Sequence, residues 1–204
     1  MAAGDTDVSI CSNALVLLGS NRISSFSDGT VAARLAEDLY PKIKELTQSM
    51  YPWSFTLAKV QLSRLVAAPT SIWTYQYTLP TDMLNGVPRR VFASGNVGSS
   101  AIQNYEIQAD KLLTDEATIF VDYQVSVAED KMPSYFVQFL IYQMAWHLAE
   151  PVTDQTTKAD YWRGIALGTA AENFRGGYFR SAANIDSAGQ SPTVIADYML
   201  TAVR

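Results

Sequence analysis

The sequence contains one cysteine, Cys11, and one histidine, His147. A single cysteine excludes a disulfide within the chain and any cysteine-rich metal site. A single histidine without cysteine partners also argues against the three- or four-ligand zinc sites that proteins usually build. We therefore expect no metal ion and no cofactor. We interpret Cys11 as part of the apolar stripe of a helix and His147 as a residue at the edge of a helical core.

Motifs for catalysis are also missing. The sequence has no Gly-x-Ser-x-Gly elbow, no Walker phosphate loop and no Gly-x-Gly-x-x-Gly motif after a strand. Paired carboxylates are the remaining candidates, since glycosidases use two of them. The adjacent pairs are Glu37/Asp38, Asp115/Glu116 and Glu129/Asp130. Each pair is predicted on a helix surface or in a turn, where acids are normally only solvated. We expect no catalytic residue and no enzymatic activity.

Runs of basic and of apolar residues are short. The formal net charge is −5 and no run of Lys or Arg occurs, which disfavours tight binding to DNA. Surface ion pairs explain the small basic clusters Arg89-Arg90 and Arg175/Arg180 at least as well as phosphate contacts do. The longest apolar stretch, residues 135–149, is too short to cross a bilayer. The first residues lack the basic region of a signal peptide. We expect a soluble protein made in a reducing cytoplasm.

What the sequence does have is apolar and aromatic. Hydrophobic residues make up 48% of the 204 residues, with 4 Trp and 11 Tyr. This composition is typical of a globular protein of one or two domains. Aromatic residues are common in cores and are also enriched at subunit interfaces. The composition therefore fits a subunit of an assembly.

Hydrophobic periodicity predicts helices at both ends of the sequence. A first helix is expected from about Asp5 to Leu18, and a second at 31–50, capped by Ser27 or Asp28 and kinked or split at Pro41. A third, apolar almost all round, starts near Pro133 and ends at Glu150-Pro151. A fourth follows Thr153 and ends or bends near 176–177. Its expected face is Trp162, Ala166, Ala170, Phe174 and Tyr178.

The middle of the sequence alternates with period two, which predicts strands. The clearest strand is 119–127, with Ile119, Val121 and Tyr123 on one face. Others are expected near 72–78, 89–93 and 105–109. Turns are expected at Asp110-Lys111 and Asp115-Glu116, on either side of Leu112 and Leu113. Residues 56–65 fit either a short helix or an arm. The strands are expected to form an antiparallel sheet inserted between helices.

These patterns predict the α+β class, with a bundle of about four helices, an inserted antiparallel β domain and an extended C-terminal arm. The expected divisions are 1–70, 71–130, 131–180 and 181–204, and the first and third pack together. Residues 181–191 have too little apolar surface to fold alone. An apolar cluster then reappears, and an apolar cluster beyond a tether needs a binding site. Its members are Val194, Ile195, Tyr198, Met199 and Leu200.

Several blocks occur in the order found in one known family. They are 10–19 (ICSNALVLLG), 51–58 (YPWSFTLA), 77–83 (YTLPTDM) and 119–123 (IFVDY). Together with the helix at 139–150 and Arg204, they resemble tail tubular protein A and related head-to-tail adaptors of podovirus-type phages. In that family the second helix is followed by a W-x-F-A block. Here the block reads Trp53-Ser54-Phe55-Thr56, so a threonine replaces the alanine.

The resemblance implies a structural protein of the virion neck, assembled in the host cytoplasm. Such adaptors are commonly dodecameric rings between the portal protein and a tail nozzle or tail tube protein, with genomic DNA passing through the lumen without specific binding. The β-rich region then points toward the tail and the C-terminal arm toward the portal. The portal-binding residues implied are Val194, Ile195, Tyr198, Met199, Leu200 and Arg204.

Two alternatives stay open. A tail terminator or head-completion protein of a longer-tailed phage also forms a ring, and composition does not separate it from an adaptor. A virion-associated cell-wall hydrolase is the enzymatic alternative, and the missing catalytic constellation counts against it.

Overall fold

The computed structural model describes residues 5–96 and 99–188, and the fold belongs to the predicted α+β class. The described chain divides into two compact units. The first, which we call the helical unit, comprises 5–55 and 127–188, and the second, the β unit, comprises the described residues of 56–126. The portal-binding residues implied by the resemblance, 194–204, lie outside the described residues.

Helix α1 (Asp7–Leu17) confirms the first predicted helix. Its N-cap is Thr6, whose hydroxyl accepts a hydrogen bond from Ser9 N, and Ser9 Oγ accepts one from Thr6 N in return. This reciprocal pair satisfies amide groups that have no partner within the helix. The predicted stripe of Cys11, Leu15 and Leu18 is buried.

Helix α2 (Val31–Ser49) departs from the prediction at its start and at its proline. Its N-cap is Thr30, whose hydroxyl accepts from Ala33 N, and not Ser27 or Asp28. Asp28 instead accepts a hydrogen bond from Ser24 N. The helix is not split at Pro41. A proline removes one backbone donor, and burial of the neighbouring turns is sufficient to hold the helix together there.

The buried face of α2 agrees only in part with the apolar spacing of its sequence. Ile43 is buried and Leu35 and Leu39 pack against the core, whereas Val31 and Leu46 are 67% and 51% exposed. The face that is buried contains small residues, which let neighbouring helices approach closely, and a tyrosine that finds a polar partner. Its members are Ala33, Ala36, Tyr40, Ile43 and Thr47.

Helix α3 (Ser134–Thr153) is the centre of the helical unit and contacts α1 and α2. We expected it to end at Glu150-Pro151, but it continues through Pro151 for most of a turn. Pro151 removes one backbone donor, while the hydroxyl of Thr153 donates to Ala149 O. Asp154, in the left-handed conformation with φ 53°, then ends the helix.

The predicted fourth helix is two helices, α4 (Thr156–Leu167) and α5 (Gly177–Ala188), separated by a 3-10 turn at Ala170–Glu172. Both contact α3. The break falls at Gly168, with φ 77°, where an added Cβ would lie 2.8 Å from the Cα of Gly176. No side chain fits there, so the chain turns at this glycine. The expected single face from Trp162 to Tyr178 is therefore wrong.

The β unit contains two three-stranded antiparallel sheets and not the single sheet that we expected. Their orders are β1-β6-β3 and β2-β5-β4. The strands are β1 (Leu57–Gln61), β2 (Tyr75–Thr78), β3 (Arg90–Phe92), β4 (Glu106–Gln108), β5 (Lys111–Thr114) and β6 (Phe120–Gln124). The undecided segment 56–65 thus begins with a strand, well before the expected division at residue 70.

Alternation along the sequence correctly predicts the core of the β unit. Ile119 and Val121 are fully buried and Tyr123 nearly so. Leu112 and Leu113, which we expected between two turns, are buried in β5. They pair with β2 and β4, because a turn at 109–110 brings Gln108 opposite Lys111.

Candidate functional site

A buried acidic residue, Asp186, lies on α5 in the described part of the predicted arm. Its side chain is 4% exposed. Ser54 donates to it twice, from its backbone N at 2.9 Å and from Oγ at 2.7 Å. The Tyr135 hydroxyl donates to Asp186 Oδ1 at 2.5 Å. Burial and this acceptor both raise the pKa of Tyr135, so its hydroxyl keeps its proton.

The Asp186 side chain thus joins α5 to Ser54 and to Tyr135, two residues of the helical unit that are far apart in the sequence. This contact was not predicted, because residues 181–204 were expected to form an extended arm. That expectation is wrong up to Ala188, where α5 ends. The buried positions Phe179, Ala182 and Asp186 are three and four residues apart, which is the helical spacing that marks a buried face.

An aromatic cluster surrounds Trp53, the first residue of the Trp53-Ser54-Phe55 block. Trp53 is fully buried, and its indole Nε1 donates to Thr47 O at 3.2 Å. The rings around it come from the chain just before and after it, from α3 and from α5: Tyr51, Phe55, Tyr135, Phe136, Phe139 and Phe179. Trp53 thus joins three segments, as expected of a packing anchor.

A groove of about 400 Å³ lies beside this cluster, on the surface of the helical unit. One wall is the segment Met50, Tyr51 and Pro52 at the end of α2. The other wall comes from α5 and the residue before it. Its members are Arg175, Phe179, Arg180, Ala183 and Asn184. The groove therefore combines apolar walls with two arginines.

The acidic pair Glu129/Asp130 is only partly the solvated pair that we expected. The Glu129 carboxylate receives Lys44 Nζ and the Tyr40 hydroxyl, both at 2.8 Å. Burial by itself raises the pKa of Glu129, but the hydrogen bonds from Lys44 and Tyr40 outweigh it and lower that pKa. The charged Glu129 carboxylate therefore links α2 to the turn before α3. Because its pKa is lowered, Glu129 is unsuited to act as a general acid or base near neutral pH.

Cys11 lies in the core as predicted and is fully buried. Burial, with a smaller contribution from Asp7, raises the pKa of Cys11 to about 12. A nucleophilic cysteine needs a thiolate, which this environment disfavours.

His147 lies half-buried on α3 with its ring 4.1 Å from the Trp146 ring. Burial lowers the pKa of His147, so the neutral form is favoured. Its Nε2 is buried and has no hydrogen-bond partner among the described residues. In the part of the chain that the structure describes, no carboxylate is hydrogen-bonded to its ring, as a catalytic histidine of the triad type requires. In residues 5–96 and 99–188 no group of three or more His, Cys, Asp or Glu side chains is placed to hold a metal ion.

The β unit presents a loop with two exposed apolar side chains, residues 65–73, which we call the apolar loop. Val66 and Ile72 are almost fully exposed. The first residues of the loop are held by Leu65 N donating to Gln76 O at 2.9 Å and by the Gln76 side chain donating to Ala67 O at 2.8 Å. These two bonds tie the start of the loop, next to Val66, to β2.

None of the described helices is both long and apolar enough to cross a membrane. Comparison with known proteins gives no relative: no protein-family model matches the chain, and no curated protein matches it.

Proposed function

We propose that this chain is a structural virion protein, the head-to-tail adaptor of a short-tailed phage. Copies of it form a ring, on the family pattern a dodecamer, that joins the portal protein to the tail nozzle or tail tube and forms part of the DNA channel. The observation that carries the proposal is the ordered series of family-like blocks. The most specific block, at 51–58, contains the buried Trp53 about which the helical unit packs.

The position of α5 supports the proposal that a helical bundle is followed by a portal-binding arm. The bond network of Asp186 holds α5 to Ser54 and Tyr135, two residues before the described chain ends at Ala188. An arm that leaves from a fixed point loses less entropy on docking than one that leaves from a mobile point. The arm residues Val194, Ile195, Tyr198, Met199 and Leu200 contribute apolar contacts to the portal, and Arg204 contributes a charged one.

The apolar loop supports a second partner on the tail side. Val66 and Ile72 are apolar and exposed, so a partner that covers them removes apolar surface from water. In this proposal the β unit presents them to the nozzle or tail tube protein.

The net charge suits a channel subunit. A formal charge of −5 and the absence of any run of Lys or Arg disfavour tight phosphate binding, which would slow the passage of DNA. We further propose that the protein has no catalytic role, because Cys11 is held as a thiol, His147 lacks an orienting carboxylate and Glu129 is tied to Lys44.

Co-sedimentation with the portal protein tests the proposal. The subunit mixed with portal at micromolar concentration should sediment as one large complex. A chain that ends at residue 193 should fold normally and lose portal binding, because it lacks the apolar cluster. The adaptor function is wrong if the intact subunit and portal sediment independently.

An electron micrograph of the parent virion separates the adaptor from the terminator and head-completion alternatives. A short tail attached directly below the ring supports the adaptor. A long tail with the protein at its upper end overturns it. A peptidoglycan clearing assay addresses the hydrolase alternative, and we expect no clearing.

A further inference from the structure

The groove on the helical unit has the composition of a docking site for a mixed apolar and acidic segment. Met50, Pro52, Phe179 and Ala183 offer apolar surface, and Arg175 and Arg180 add positive charge at the edge. Arg180 is only loosely paired, with its guanidinium 3.9 Å from the exposed Glu172 carboxylate. A pair this long and this exposed is worth little and does not compete strongly with a new partner.

The sequence supplies a segment of matching chemistry close by. The cluster Val194, Ile195, Tyr198, Met199 and Leu200 has one charged residue within it, Asp197. Its apolar members recur at spacings of three and four, so they are able to present one side together. A carboxylate in the middle of the cluster complements the two arginines of the groove.

The distance between the groove and the segment permits binding within one chain. Ala183 and Asn184, on one wall of the groove, lie about one turn before the end of α5 at Ala188. The nine residues from Ala188 to Asp197 span up to about 30 Å when extended. The path back along α5 from Ala188 to Arg180 is only about 12 Å. The tether therefore reaches the groove without strain.

We propose that the groove between Met50 and α5 is the docking site of residues 194–200 of the same chain in the free subunit, with Asp197 facing Arg175 and Arg180. Docking removes the apolar cluster from water. Portal binding then requires release of the segment. This consequence rests on the proposed function, whereas the docking in the free subunit is independent of it.

Cross-linking in the isolated full-length chain tests the docking. One variant carries Ala183→Cys in the groove and Met199→Cys in the segment. The matched control carries Ile185→Cys with the same Met199→Cys. Ile185 is exposed and lies two residues along α5, which turns it by about 200° to the other side of the helix. Cys11 is buried and does not react with the reagent.

After treatment with a short bismaleimide, mass spectrometry of the monomer measures the internal cross-link. The tether gives both variants a similar effective concentration of the second thiol. Docking should therefore raise the yield of the Ala183/Met199 link about tenfold over the control. Equal yields overturn the proposal. Links found only between two chains also overturn it, because they place the segment in the groove of another copy.

Charge reversal provides a second measurement. Asp197→Arg should reduce the Ala183/Met199 link to the control level, and adding Arg180→Glu to that variant should restore it. An unchanged yield in Asp197→Arg overturns the pairing with the arginines. The cross-linking experiments contain no portal protein, so a negative result in them does not bear on portal co-sedimentation. The docking proposal and the adaptor proposal are therefore tested independently.

Discussion

The Tyr135 hydroxyl donates a hydrogen bond to Asp186, and this bond joins the first turn of α3 to the last turns of α5. Ser54, just after the Trp53 anchor, donates to the same carboxylate. Three segments that are distant in sequence thus meet at one buried acid. Burying a carboxylate costs free energy that hydrogen bonds to its oxygens offset, so these donors stabilise the buried acid.

Tyr135→Phe should lower the free energy of unfolding by about 1 to 2 kcal/mol, because it leaves a buried charged acceptor short of one donor. Urea denaturation measures this change, and hydrogen exchange should show faster opening of α5 than of α1. Tyr161→Phe is the matched control, since Tyr161 is 61% exposed. Equal stability of the two variants would mean that the Tyr135 bond adds nothing to stability.

Glu129→Gln should destabilise the protein at neutral pH by about 1 kcal/mol, a value reduced for the partial exposure of the Lys44 pair. The pKa of Glu129 is lowered in the folded protein from an ordinary value of 4.5. Its stabilising contribution is therefore complete above pH 4.5 and is lost as the pH falls through the lower folded pKa.

The difference between wild type and Glu129→Gln should accordingly shrink as urea titrations move from pH 7 toward pH 3. Glu37→Gln, at an exposed position on α2, should match wild type throughout. A difference that stays constant with pH would show that the lost stability has a cause other than the Glu129 charge.

Replacing Val66 and Ile72 together by serine should change stability by less than about 0.5 kcal/mol, because both side chains are exposed. The variant should keep portal binding and lose binding to the tail-side protein, which pull-down with each partner measures. Val31→Ser, at another exposed apolar position, is the control. Retained tail-side binding would remove the apolar loop from the proposed interface.

The sequence predicted those features that depend on periodicity within one element. The stripe of α1 and the alternation of β6 are examples, since a fixed spacing places Cys11 and Leu15, or Ile119 and Val121, on one buried face. Trp53 could also be recognised from the sequence as a candidate packing anchor, because it is a large aromatic residue next to a proline at the end of a helix.

The features that were missed depend on tertiary contacts. The face of α2 turns toward Ala33 and Ala36 because close packing favours small residues, which hydrophobicity does not reveal. Residues 181–188 become helical because Asp186 finds donors in Ser54 and Tyr135, which are far away in sequence. The break between α4 and α5 follows from crowding at Gly168, where only the folded backbone shows that a Cβ does not fit.

His147 provides a prediction for mildly acidic pH. Burial lowers its pKa below the ordinary value of 6.5, so the folded protein favours the neutral imidazole whereas the unfolded chain takes up a proton near pH 6.5. Because the unfolded state then binds more protons, stability is complete above pH 6.5 and falls as the pH drops below it. One such group changes the free energy of unfolding by at most about 1.4 kcal/mol per pH unit.

His147→Gln should remove this part of the pH dependence. Between pH 7 and pH 5, urea titrations should show wild type losing more stability than the variant. Parallel curves would show that His147 is protonated equally in the folded and unfolded states. In the proposed structural function the imidazole takes part in no reaction, so the variant should still join the portal complex at neutral pH. Normal folding with failed assembly would instead give His147 a direct part in function.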